Sequence, residues 1–63
     1  MNRTDFIEYV SSKLYPEIDA TPAEVEFATA QLERWYVINC GEKPCWDSID
    51  RERVRDFILK NRG

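Results

Sequence analysis

The chain has 63 residues, of which 43% are hydrophobic, 33% charged and 13% aromatic. That supply of apolar side chains excludes a collagen-like, low-complexity or disordered chain, and no apolar run approaches the roughly 20 residues needed to span a bilayer. A net charge of −3 argues against non-specific nucleic-acid binding, and the absence of histidine removes the commonest general base, metal ligand and pH switch in one stroke.

So short a chain has room for a single domain, 1–63, which is either marginally stable alone or completed by a partner. The opening residues MNRTDFIEYV place Asp5 and Glu8 where a signal peptide needs an unbroken apolar stretch. A cytoplasmic location and no membrane contact are therefore expected. Charge is unevenly distributed. Residues 1–33 hold seven acids and two bases, whereas residues 34–63 hold seven bases and five acids. The acidic and basic halves are expected to attract one another, within the fold or between copies.

A first helix is expected from Arg3 to Leu14. Asn2 or Thr4 can cap it, Asp5 and Glu8 suit the positive end of its dipole, and Phe6, Val10 and Leu14 form one apolar stripe with Ile7 beside them. Pro16 disfavours helical geometry at Tyr15, which predicts a stop there. The connection YPEIDAT follows, with Ile18 plugging the end of the core.

The second helix has the strongest start signal. Thr21-Pro22-Ala23-Glu24 places threonine at the N-cap, proline at the first helical position and glutamate at the third. The helix is expected to span 22–39. One apolar stripe contains Val25, Ala28, Leu32 and Tyr36 or Trp35; a second contains Phe27, Ala30 or Gln31, and Ile38. Two stripes predict a central helix packed on both flanks. Residues 35–39, WYVIN, also fit a short β-strand by their aromatic and β-branched content, giving an α+β alternative. Asn39-Cys40-Gly41 is a helix stop.

A third helix is expected over 51–61, capped by Asp50, with Ile49 and Val54 spaced as a hydrophobic staple. Val54, Phe57 and Ile58 make its core face, and Lys60 and Arg62 suit its negative end. The expected architecture is a compact all-α three-helix domain with the second helix central and the 40–49 loop pinned by aromatic packing.

Cys40 and Cys45 are the only cysteines. Three states are open to them: two part-buried free thiols, a short-loop disulfide, or half of a metal site shared between copies. Two thiols and no imidazole fall short of a four-ligand zinc site, so no metal or other cofactor is expected. Catalytic constellations are absent as well. Ser48 and the cysteines lack a histidine base, and Gly41 and Gly63 are too few for a phosphate loop, so the chain is expected not to be an enzyme.

The remaining candidates are binding surfaces. Arg51, Arg55 and Arg62 share a helical face that can meet phosphates, although Asp50, Glu52 and Asp56 interleave with it. Arg51 and Arg55 repel one another at four-residue spacing, and an acidic neighbour would relieve that. Glu24 and Glu26 belong to an acidic patch that can meet a basic partner. Trp35, Tyr36 and Trp46 cluster around the second connection and are of the residue types that dominate interfaces. The expected function is non-catalytic protein binding, as a small adaptor or inhibitor of a larger protein, acting as a monomer or homodimer. The composition is like that of many small bacterial and phage-encoded proteins. Two alternatives are a small DNA-binding regulator using the basic C-terminal helix and a structural subunit of a larger assembly.

Overall fold

The computed structural model describes residues 1–63 as three helices, α1 (Arg3–Ile18), α2 (Pro22–Cys40) and α3 (Arg51–Arg62), with no strand. The chain is all-α, and the α+β alternative is excluded. Residues 35–39 form the last turns of α2, because the capped periodic segment that starts at Thr21 continues through them.

Local signals explain most of the helix ends. The Asn2 side chain accepts the Asp5 N–H at 2.8 Å and caps α1. At α2 the Glu24 N–H donates to Thr21 Oγ1 at 3.2 Å, and the Thr21 N–H donates to Glu24 Oε1 at 3.2 Å. This reciprocal box satisfies two donors that a helix start otherwise leaves orphaned. Asp50 accepts the Glu52 N–H at 3.2 Å at the head of α3. Gly41 ends α2 at φ 78°, a left-handed conformation that favours glycine, with its N–H on the Val37 carbonyl.

The end of α1 departs from expectation. The helix continues through Pro16 to Ile18 and turns at Asp19, whose φ is 55°. Pro16 has no N–H to donate to the Ser12 carbonyl, and the helix runs on past that one missing bond. The Asp19 N–H bonds the Tyr15 carbonyl at 2.9 Å, and the Arg62 guanidinium donates to the Ile18 carbonyl at 2.9 Å. The extra turn delivers Ile18 to the edge of the core and lets Ala20 be buried. Small extensions at Cys40 and Arg62 are end fraying of the kind on which helix assignments differ.

The core consists of Phe6, Val10 and Leu14 from α1, Ala20, Val25, Ala28 and Leu32 from the α2 side, and Val54 and Ile58 from α3. Ile7, Ile18, Tyr36, Trp46, Ile49 and Phe57 close its margins. The buried Thr29 hydroxyl donates to the Val25 carbonyl at 2.7 Å, so no polar group is stranded there. Helix α2 is central, contacting α1 and α3 more extensively than they contact each other. The 41–50 connection is pinned by buried Pro44 and by Trp46, whose ring centroid lies 5.0 Å from that of Phe6.

The expected packing on both flanks of α2 does not occur. Both partner helices lie on the side of Val25, Ala28 and Leu32. Phe27 and Ile38, assigned to a second packed stripe, are 60% and 70% exposed. A third partner element would be needed to cover them, and the chain has only two other helices.

Candidate interaction surface on the second helix

At 3.6 residues per turn, Ala23, Phe27, Ala30, Arg34 and Val37 follow one another at alternating steps of four and three, along the side of α2 opposite its core stripe. Ile38 lies next to Val37. All six are exposed, Val37 at 47%. A helix that is apolar on opposite sides needs cover on both, yet α2 has it on one. The strip from Ala23 to Ile38 is about 22 Å long and roughly 10 Å wide, a few hundred Å² of largely apolar surface. Phe27 stands between two shallow hollows. One, about 240 Å³, is bordered by Ala23, Glu24, Ile58 and Asn61; the other, about 360 Å³, is bordered by Arg3, Ala23, Glu26 and Ala30.

Charge is sparse on this face. Helix α2 carries Glu24, Glu26, Glu33 and Arg34. Glu33 pairs with Arg3 at 2.7 Å and Glu24 with Arg62 at 2.7 Å. Glu26 lies at the edge of the strip and Arg34 within it; both are exposed and belong to no ion pair within the chain.

Most residues expected to bind a partner have a role inside the fold. Arg62 grips Glu24 through Nε at 2.7 Å and Nη2 at 2.8 Å, and it also donates to the Ile18 and Asp19 carbonyls. One guanidinium thereby ties the C-terminal end of α1 to the N-terminal end of α2, setting charges of favourable sign at both helix ends. The hydrogen bond from Arg62, helped by the one from the Thr21 backbone, pushes the Glu24 carboxyl down to about 2 from 4.5. The same contact raises Arg62 above its ordinary value. Arg55 bonds Glu17 at 2.6 Å, and that carboxylate raises its pKa as well. Acidic and basic halves do attract one another within the fold, and Glu17 relieves the repulsion between Arg55 and Arg51. Only Arg51 of the expected basic face has no ion-pair partner.

The aromatic residues separate. Trp35 and Tyr36 meet edge to face at 5.2 Å, and the Arg53 guanidinium lies 5.7 Å from the centre of the Trp35 ring. Tyr36 and Trp46 lean on the core, whereas Trp35 is 40% exposed. Cys40 and Cys45 are free thiols, and both are exposed rather than part-buried. They border one open hollow with Tyr36 and Ile49 but form no disulfide. No group of three or more cysteine and acidic side chains is arranged to hold a metal ion. No helix is long and apolar enough to cross a membrane.

Phe27, Ala30, Arg34, Val37 and Ile38 are the surface residues that sequence reasoning assigned to packing or passed over. The available signal was the four-and-three spacing from Ala23 to Val37, opposite a complete core stripe in a chain with only two other helices. No protein-family model matches this chain, and no curated protein or solved structure matches it at a significant level.

Proposed function

We propose that the protein is a non-catalytic protein-interaction module that meets its partner through the outer face of α2. The observation carrying this reading is the uncovered strip of Ala23, Phe27, Ala30, Val37 and Ile38, on a helix whose opposite side holds the buried Val25, Ala28 and Leu32. Apolar surface of a few hundred Å² is comparable to the largest patch on an ordinary monomer, and such a patch is often functional. The module offers one rigid helical face, locked by the capping box and the Arg62 clamp, so little ordering entropy opposes association. Trp35 and Arg53 extend the strip at one side with residue types that anchor interfaces. A nucleic-acid role for α3 is less well supported, because Arg55 and Arg62 are engaged by Glu17 and Glu24.

Site-specific photo-crosslinking tests the reading. A photoreactive phenylalanine analogue at position 27 is expected to give discrete protein adducts on irradiation in native host lysate. The same analogue at Tyr9 or Tyr15, both exposed on α1, is expected to give none. Equal adducts from all three positions would remove the reason for assigning contact to α2.

A further inference from the structure

We infer that the occupant of the α2 outer face is a second copy of this chain, related by a two-fold axis at Ala30 that runs the two α2 helices antiparallel. The inference rests on the reading of this face as the contact surface and adds the identity of its occupant.

The register comes from charge. Glu26 at the edge of the strip and Arg34 within it are unpaired charges, and each lies four residues, or about 6 Å along the axis, from Ala30. Placing Ala30 of one copy against Ala30 of the other puts Glu26 at the same height as Arg34 of the second copy, and the symmetry makes this pair twice. At helix-packing distances of about 8–10 Å, the two long side chains reach across the seam. A parallel, in-register pair would instead oppose Glu26 to Glu26 and Arg34 to Arg34, which is repulsive. The same charges that favour the antiparallel arrangement disfavour the parallel one.

Apolar positions agree with this register. Ala23 falls level with Val37 of the second copy, a small residue against a larger one. Phe27 comes beside the stem of the second copy's Arg34, which then lies between an aromatic ring and a carboxylate. Ala30 at the axis has only a methyl group, which permits close approach. The contact is isologous, as two-fold dimers require, and it closes on itself. A single helical face places the interface at the low end of the size range for specific association. Self-association is therefore expected at micromolar rather than nanomolar concentration.

Sedimentation equilibrium across a concentration series, on wild type and three variants, tests the proposal. The wild type is expected to dimerise reversibly. E26R and R34E are each expected to weaken dimerisation at least about tenfold, since each turns two attractive contacts repulsive. The E26R/R34E double variant restores both pairs with exchanged signs and is expected to return to within roughly threefold of wild type. Both positions are exposed and unpaired, and circular dichroism is expected to show unchanged folding. In a C40S/C45S background, A30C is expected to form an interchain disulfide under mild oxidation, because its thiols meet at the axis.

A wild type that stays monomeric up to millimolar concentration overturns the proposal. So does a dimer indifferent to single charge reversals, or one that the double variant fails to rescue. A monomer that still gives position-27 adducts with a different protein would defeat the self-pairing while leaving the contact surface intact. Loss of both would defeat the surface itself.

Discussion

Two substitutions on one helix separate the face that folds the protein from the face proposed to bind. Leu32 is fully buried between α1 and α3, and Phe27 is 60% exposed on the opposite side of α2. Truncating Leu32 to alanine removes a buried side chain and leaves a cavity, at a cost of about 3–5 kcal/mol. A domain of this length has a total stability of about 3–9 kcal/mol, so Leu32→Ala is expected to leave a barely folded or unfolded protein. Phe27 buries only about two-fifths of its surface, and full burial of such a residue is worth about 1.5–3 kcal/mol, so its truncation forfeits about 0.6–1.2 kcal/mol. Alanine's better helix propensity returns roughly 0.5 kcal/mol of that. Phe27→Ala is therefore expected within about 1 kcal/mol of wild type, a shift in melting temperature of no more than about 4–8 °C. The assay is urea unfolding followed by far-UV circular dichroism at sub-micromolar protein, where mass action favours the monomer. A Phe27→Ala cost equal to that of Leu32→Ala would mean that the ring is part of the folding core, and the division of α2 into two faces would be wrong.

The remaining predictions concern the clamp, the cap, the indoles and the thiols. Glu24 has a lowered folded-state pKa, so its contribution is present above the unfolded value of 4.5 and is lost as pH falls towards about 2. Acid titration of stability is expected to show a decline across that window, and Glu24→Gln is expected to flatten it while lowering stability at neutral pH. Thr21→Ala is expected to cost about 1 kcal/mol in chemical denaturation, through loss of the N-cap. Acrylamide is expected to quench the exposed Trp35 more strongly than Trp46, which is packed on Phe6; single-tryptophan variants make the comparison. Both cysteines are expected to react with a thiol reagent in the native state at rates near those of the unfolded chain.

Where a feature is governed by neighbouring residues, the sequence reveals it. The Thr21–Glu24 box, the Asn2 and Asp50 caps and the Gly41 stop are all local hydrogen-bonding or dihedral requirements, and each is met as expected. The three core stripes are legible because helical periodicity alone places Phe6, Val10 and Leu14, then Val25, Ala28 and Leu32, then Val54 and Ile58, on single faces. Features decided between helices are hidden. The end of α1 beyond Pro16 is met by Arg62, which lies 46 positions after that proline and donates to the Ile18 and Asp19 carbonyls. The basic face of α3 looked free because its acidic counterparts, Glu17 and Glu24, lie far away along the chain. Cys40 and Cys45 are close enough in sequence to suggest a bridge, but the segment between them leaves both thiols exposed and unjoined.

The second stripe of α2 is the instructive case. Phe27 and Ile38 are apolar and helically spaced, which predicts a packing partner for them. The other two helices already share the opposite side of α2, so no packing partner for these residues lies among them. What the structure leaves uncovered after the core is complete is the face that carries Phe27, Val37 and Ile38.

The most direct test of the account follows backbone amide resonances of the wild-type protein through a dilution series. Concentration-dependent shifts are predicted along Ala23, Glu26, Phe27, Ala30, Arg34, Val37 and Ile38, with the amides of α1 and the 41–50 connection unmoved. Shifts centred instead on Tyr9 and Tyr15, or on α3, would contradict the assignment of contact to the outer face of α2.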